Sequence, residues 1–289
     1  MSQEKGIVFG PWVGEFGWEL FSWQAYCRAL SRKYDKIIVI SRPGNDFLYN
    51  DFCDEFIPFD PPSDGIVDSH MNSAVGNFNV TEFLRASIPS SLLQECEWSW
   101  VQPQKIGNPP YDHWRAAVEI RGYGEIIPEY KLYRKNAKEK IDVVIHARNR
   151  SIREIDNWSV KKWNNLVNLF PSSIKIACIG SVKESLHLDG TSDARGTSLE
   201  ETIGILSNAE CILGPSSGPM HLATLSGCPQ VVWTSNPNQN FSRYKYCWNP
   251  FFVDVDVIKT SDPSPEDVYM LAEKYIDIAK IVEKHIVAG

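Results

Sequence analysis

The feature that most constrains this chain is the rhythm of its second half. Between Ile141 and Trp233, short apolar runs alternate with stretches of helical spacing. Ile141–His146 (IDVVIH), Ile174–Ile179 (IKIACI), Cys211–Leu213 and Gln230–Trp233 read as strands. Trp158–Phe170, Leu199–Asn208 and Ser217–Ser226 read as helices between them. Unbroken apolar runs are what strands covered on both faces require. Strand and helix in strict turn build a doubly wound α/β domain on a parallel sheet. Ser198, with Glu201 three residues on, has the form of a capping box for the helix 199–208.

The first half begins in the same way. Gly6–Gly10 (GIVFG), Lys36–Ser41 (KIIVIS) and Glu55–Phe59 read as strands, with a helix over Trp18–Tyr34. The order strand, helix, strand is a βαβ unit. From Asp60 to about Tyr130 no topology is legible, and Pro61-Pro62 and Asn108-Pro109-Pro110 mark loops. Arg134–Lys140 is charged and reads as a linker. A chain of 289 residues is comfortable as two α/β domains. The expected division is 1–135, an N-terminal Rossmann-like domain, and 136–289, a C-terminal one. Near the end, Ser264 is an expected N-cap and Pro265 suits the first helical position. The apolar stripe from Val268 to Val282 predicts a terminal helix over Ser264–Ile286.

Charge and cysteine usage narrow the setting. The formal net charge is −7, which argues against nucleic acid as a partner. Seven cysteines are scattered with no C-x-x-C spacing, so neither a disulfide framework nor a zinc cluster is expected. A reducing compartment follows. No stretch reads as a secretion signal or a transmembrane segment. The expected location is cytoplasmic, with peripheral attachment at a membrane surface as the variant for a lipid-linked acceptor.

Three places carry groups suited to chemistry. Gly214-Pro-Ser-Ser-Gly-Pro-Met-His221 joins an expected strand to an expected helix. The free N–H groups of a first helical turn and the helix dipole attract an anion there. Ser216 and Ser217 add hydroxyls, and Gly214 and Gly218 allow close approach of a ligand. The alternative is a capped helix start with no ligand. His146-Ala-Arg-Asn-Arg150, followed by Arg153, closes the IDVVIH strand. Arg148 and Arg150 at a strand's C-terminal end can clamp a diphosphate bidentately, or be a solvated basic loop. Asp254-Val-Asp256 has the form of a cation-holding triplet, but its alternation in FFVDVDVI reads as a strand with one polar face.

Leu199–Trp233 (LEETIGILSNAECILGPSSGPMHLATLSGCPQVVW) resembles the donor-binding region of heptosyltransferase-type enzymes of the GT-B glycosyltransferase fold. In that family a helix, a strand, a loop of the type D-S-G-P-M-H-L-A and a G-x-P-x-V strand follow in this order. The likeness covers about 35 residues and departs at Ser216, where the family usually has Asp. It implies that Ser217, Gly218, Pro219, Met220 and His221 line a pyrophosphate pocket, with Gly214 and Ser216 beside them. Asn157–Val167 (NWSVKKWNNLV) resembles a family segment whose basic residues contact phosphate, which makes Lys162 and Lys161 candidates. Gly14–Leu20 stands where the family has G-x-G-D-x-L, whose carboxylate is the general base on the acceptor hydroxyl. Here Glu19 and Glu15 flank that place. Arg243, Lys245 and the aromatics of Phe241–Pro250 could close over the donor or form a surface loop.

The resemblance thus implies an α/β fold of the GT-B type. Two Rossmann-like domains would face a central cleft, with the C-terminal helix crossing back to the first. The implied activity is metal-independent glycosyl transfer from a nucleotide-diphosphate sugar to a glycan or lipid-linked sugar hydroxyl. It needs no cofactor beyond the donor substrate. Helix N–H groups and the Arg148/Arg150 pair would stabilise the leaving phosphate. Two alternatives stand beside this: an epimerase or hydrolase on the same fold, and a non-catalytic sugar-nucleotide-binding protein.

Overall fold

The computed structural model describes residues 4–12, 14–60, 86, 88–101, 126–151, 153–235 and 241–276. The chain falls into two compact units, Met1–Tyr130 and Lys131–Gly289, the division lying a few residues before the expected 135/136. Among the described residues, no helix is long and apolar enough to cross a membrane.

The first unit is built on a four-stranded parallel sheet in the order β3-β2-β1-β4. Its strands are β1 (Lys5–Phe9), β2 (Lys36–Ser41), β3 (Glu55–Pro58) and β4 (Glu97–Val101). The first three answer to the apolar runs read from sequence, and β4 emerges from the stretch that was illegible. The expected helix over Trp18–Tyr34 is more complex than its periodicity implies. Short α-helical segments α1 (Phe16–Trp18) and α2 (Gln24–Ser31) flank a π-helical turn, Glu19–Trp23. The wider turn puts Glu19, Leu20, Phe21 and Trp23 all inside. A further helix, α3 (Ser90–Glu95), precedes β4.

The second unit is a doubly wound domain on a six-stranded parallel sheet in the order β10-β9-β8-β5-β6-β7. The central strands are β5 (Val143–Ile145), β8 (Cys211–Pro215) and β9 (Gln230–Trp233). They are flanked by β6 (Ile176–Cys178), β7 (Ser192–Asp193) and β10 (Val255–Ile258). Four helices follow the strands: α4 (Val160–Leu169), α5 (Leu199–Asn208), α6 (Gly218–Ser226) and α7 (Pro265–Ala272). Alternate strand residues Val143, Ile145, Cys211, Leu213, Val231 and Trp233 share one core with Trp163 and Leu166 of α4 and Val268 and Ala272 of α7. Helices α5 and α6 pack together, with α6 against β8 and β9.

The caps expected from sequence form as hydrogen bonds. Ser198 accepts from the Glu201 amide, and Ser264 with Asp267 makes a full capping box. Helix α7 ends at Ala272, and residues 273–276 form a turn where the expected helix would continue; its remainder, 277–286, lies outside the described residues. Asp256 is on β10 as the alternation predicts. Its Oδ2 accepts from the Tyr275 hydroxyl at 2.9 Å and from Lys274, so this carboxylate ties the strand to the segment after α7.

Candidate functional site

In the second unit the strand order reverses between β5 and β8. From β5 the chain builds outward through β6 and β7, then returns to lay β8, β9 and β10 on the other side. Ligands of open α/β sheets bind outside the strand C-termini at such a switch point. The two C-termini there are His146-Ala147-Arg148 after β5 and Gly214–Ser217 at the end of β8. Ile145 pairs with Leu213, so His146 and Gly214 are the neighbouring pair at the edge. A Cβ on Gly214 would lie 3.1 Å from both the His146 carbonyl and Met220 Sδ, so any larger residue would push these neighbours back by a few tenths of an ångström. Two sequence candidates far apart in the chain are therefore brought together.

Helix α6 opens at Ser217, whose extended backbone makes it the N-cap. The Ser217 hydroxyl does not cap the helix. It is buried and has no hydrogen-bond partner among the described residues. Pro219, early in the first turn, has no N–H, which leaves the Gly218 and Met220 amides as that turn's forward-facing donors. Met220 itself is fully buried against Gly214 and belongs to the core. Its side chain therefore does not line a pocket, contrary to the sequence expectation.

The segment Phe241–Pro250 is where the structure adds most. Its π-helical turn, Arg243–Cys247, brings Tyr244 onto the start of α6. The Tyr244 hydroxyl donates to Ser216 Oγ at 2.9 Å and accepts from the Ser217 amide. The Tyr244 ring stacks on His221 at 5.4 Å and 16°. Trp248 meets the same imidazole edge-on at 4.7 Å. His221 is thus held in an aromatic clamp above the loop. Burial pushes the Tyr244 phenol well above its ordinary range, so it remains a neutral donor. The loop's aromatics were visible in sequence; that Tyr244 and Trp248 were the ones aimed at His221 was not.

The basic loop differs from its expected role. Arg148 is wholly buried and donates to the Arg153 carbonyl at 3.0 Å and to Asn157 Oδ1. It braces the loop from inside, where a solvent-facing diphosphate clamp was expected. Arg150 pairs with Glu184 at 3.2 Å. Arg153, with a left-handed backbone at φ 54°, keeps its side chain 43% exposed. It is the arginine of the three that reaches furthest outward. Lys162, expected at phosphate, pairs with Asp262 and lies 4.4 Å over the Trp158 ring. The basic loop leaves the sheet at His146, whose carbonyl adjoins Gly214, and Arg148 holds the loop's Arg153 carbonyl at 3.0 Å.

His146 sits at the heart of this edge, and its Nδ1 lies 3.2 Å from the Ile179 carbonyl. A carbonyl only accepts, so Nδ1 carries the proton. Burial, with Arg148 and Arg150 nearby, lowers its pKa to about 4 and keeps the ring neutral. A neutral imidazole presents Nε2 as an acceptor, which suits a hydroxyl and not a phosphate.

The first unit has its own switch point, between β1 and β4. The loop after β1 carries Glu15 and Glu19. Glu15 is the partly exposed N-cap of α1. Glu19 is fully buried. Its carboxylate accepts from the Ser41 hydroxyl, from Tyr49 at 2.7 Å and from Asn45 Nδ2 at 2.7 Å. Burial raises its pKa against the pull of those hydrogen bonds and of Arg42. It ties α1 to the end of β2 and does not face solvent.

No family model matches the chain, and no curated protein matches it. Solved structures do. ADP-heptose lipopolysaccharide heptosyltransferase II from E. coli shares 15% identity at a TM-score of 0.59, over 97% of this chain and 99% of that one. The E. coli heptosyltransferase WaaC, solved with ADP, shares 11% at 0.57, over 94% and 99%. A glycosyl transferase of family 9 from Veillonella parvula DSM 2008 shares 12% at 0.55, over 100% and 99%. At such identities the likeness is one of fold, and the fold of this chain is that of the GT-B glycosyltransferases.

Proposed function

We propose that the chain is a glycosyltransferase moving a sugar from a nucleoside-diphosphate sugar to an acceptor hydroxyl. The observation that carries the reading is the buried, unpartnered Ser217 hydroxyl at the N-terminus of α6, at the switch point and beside the basic loop. A diphosphate supplies the acceptor oxygens that this hydroxyl and the Gly218 and Met220 amides lack. As the glycosidic bond breaks, charge grows on the leaving phosphate, and these donors with Arg153 stabilise it. A transferase of this fold has been solved with ADP, which supports ADP as the first leaving group to test. The acceptor is a glycan or lipid-linked sugar, and the setting cytoplasmic.

On the first unit, Glu15 is the better candidate for the base, because a base must reach the hydroxyl proton directly or through one water. The burial of Glu19 favours a second reading, sugar-nucleotide binding without turnover. It would hold if Glu15 proved dispensable and no acceptor were glycosylated.

The test is thermal stability against ADP, UDP, GDP and CMP, with and without Mg²⁺. A nucleotide at one hundred times its dissociation constant stabilises by about 2.7 kcal/mol. A shift with one diphosphate that is lost in His221→Ala or Arg153→Ala supports the donor site. No shift with any nucleotide overturns it.

A further inference from the structure

One buried carboxylate at this edge has an oxygen that no donor meets among the described residues. Asp156 ends the short 3₁₀ turn Glu154–Asp156 and is 4% exposed. Its Oδ2 lies 3.6 Å from Arg153 Nε. Its Oδ1 accepts no hydrogen bond among the described residues. The nearby Arg148 spends its Nη1 donations on the Arg153 carbonyl and Asn157 Oδ1. A carboxylate oxygen withdrawn from water and left without a donor is costly, and such a group points to a donor that arrives from outside.

Its surroundings say where it stands. Arg148 Nη1 and the Asp156 amide both donate to the Arg153 carbonyl at 3.0 Å, so Asp156 stands on the loop that leaves the β5 edge, where His146 adjoins Gly214 ahead of α6. It is therefore part of the same constellation as the α6 N-terminus. We propose that Asp156 Oδ1 is a hydroxyl-reading acceptor for the neutral portion of the donor, a specificity-determining residue. This rests on the donor-site reading above.

The chemistry selects the ligand group. A carboxylate repels a phosphate oxygen and welcomes an O–H. The Arg153 guanidinium already beside it disfavours a metal cation. A nucleoside-diphosphate sugar has two neutral hydroxyl-bearing parts, the ribose and the transferred sugar, flanking a diphosphate. Either offers the O–H that Oδ1 lacks. His146 Nε2, an acceptor at the same strand edge, can take a second hydroxyl. The pair of acceptors and the donor-rich helix start would then divide the ligand by chemistry, hydroxyls to one and phosphates to the other.

Calorimetric titration of wild type, Asp156→Asn and Asp156→Glu decides this. The three ligands are inorganic pyrophosphate, the nucleoside diphosphate selected by the thermal panel, and its glucose ester. Asp156→Asn removes the charge, and Asp156→Glu keeps the charge beside Arg153 but moves the oxygen, so one variant guards against a folding defect in the other. Pyrophosphate carries no hydroxyl of this kind, and both variants should bind it within about twofold of wild type or tighter. A loss of about tenfold to a hundredfold for both nucleotides assigns Oδ1 to the ribose. The same loss confined to the glucose ester assigns it to the sugar. Equal weakening of all three ligands, or of none, overturns the proposal and leaves Asp156 as a charge partner of Arg153. A wild-type protein that binds none of the three removes the donor-site reading itself.

Discussion

Tyr244 and Ser216, 28 residues apart in the chain, are joined by a 2.9 Å hydrogen bond from phenol to serine hydroxyl. The same phenol oxygen accepts a hydrogen bond from the Ser217 amide, so one side chain fixes two successive residues of the loop before α6. Tyr244→Phe separates this role from the ring's stacking on His221 and its edge-to-face contact with Trp248. The phenyl variant should fold and lose about 1 kcal/mol of stability. Its nucleotide affinity should fall about fivefold, because Ser216 and Ser217 are no longer held. Chemical denaturation and nucleotide titration measure the two losses. Unchanged affinity alongside reduced stability would mean that the hydrogen bond serves only the fold.

Glu19 and Glu15 make opposite predictions. Glu19→Ala leaves donors from Ser41, Asn45 and Tyr49 unpaired inside the first unit and should cost about 2–4 kcal/mol. Glu19→Gln should be milder and should change the pH dependence. The folded pKa of Glu19 is raised above its ordinary 4.5. Its contribution is then fully present below pH 4.5 and is lost as pH rises through the folded value. Unfolding midpoints of Glu19→Gln should therefore decline less than wild type between pH 4.5 and 8. Parallel curves would contradict the burial argument. Glu15→Gln, by contrast, should leave stability alone and lower kcat by about a hundredfold if Glu15 is the base. Activity with normal Glu15→Gln turnover would remove that assignment.

Much of the frame was legible because its signals are local. The helix 199–208 and the strand Gln230–Trp233 appear with the bounds read from sequence. The N-cap at Ser264 is a local signal and forms, while the capping box expected at Ser198 forms only its bond from the Glu201 amide. What the sequence hid is set by distant contacts. The π turn at Glu19–Trp23 depends on Ser41, Asn45 and Tyr49 receiving Glu19 inside, and a helical period cannot report that. Strand β4 pairs with β1 across some ninety residues, from a stretch without clean alternation. In the site, Gly214, Ser217 and His221 were visible as a loop of small residues before a helix. Arg148 was read as a clamp from its place at a strand's C-terminal end, and its burial against the Arg153 carbonyl and Asn157 shows only in the fold. Asp156 carried no motif, and its isolation shows only once the loop is folded.

The neutral His146 gives a pH signature of the second unit. Its pKa in the fold is about 4, against an ordinary 6.5. A depressed histidine means that the unfolded chain binds the proton first as pH falls. Stability should thus be full above pH 6.5 and decline toward pH 4, by about 3 kcal/mol if no other group intervenes. His146→Asn, which can still donate to Ile179, should flatten this window relative to wild type. Denaturant midpoints at pH 7, 5.5 and 4.5 measure the slope. A variant as acid-sensitive as wild type would place the effect elsewhere.

Lys162, paired with Asp262, and Arg153, paired with Asp156 but 43% exposed, test which cation meets a ligand. Lys162 is committed to Asp262 and the Trp158 face, and its promise as a phosphate contact came from the resemblance of Asn157–Val167 to a family segment. Lys162→Ala should therefore change nucleoside-diphosphate affinity by less than about twofold, while costing up to about 1 kcal/mol through the lost cation–π contact. Arg153 stands outward on a strained left-handed backbone beside Tyr244, the kind of position that is held for a ligand. Arg153→Ala should weaken a diphosphate about tenfold, since a guanidinium–phosphate hydrogen bond is charge-assisted. The discriminating measurement is the ratio of the two affinity losses at one ionic strength. If Lys162→Ala proves the more damaging, the lysine must leave Asp262 to meet the ligand, and the basic loop would then serve the fold and not the phosphate.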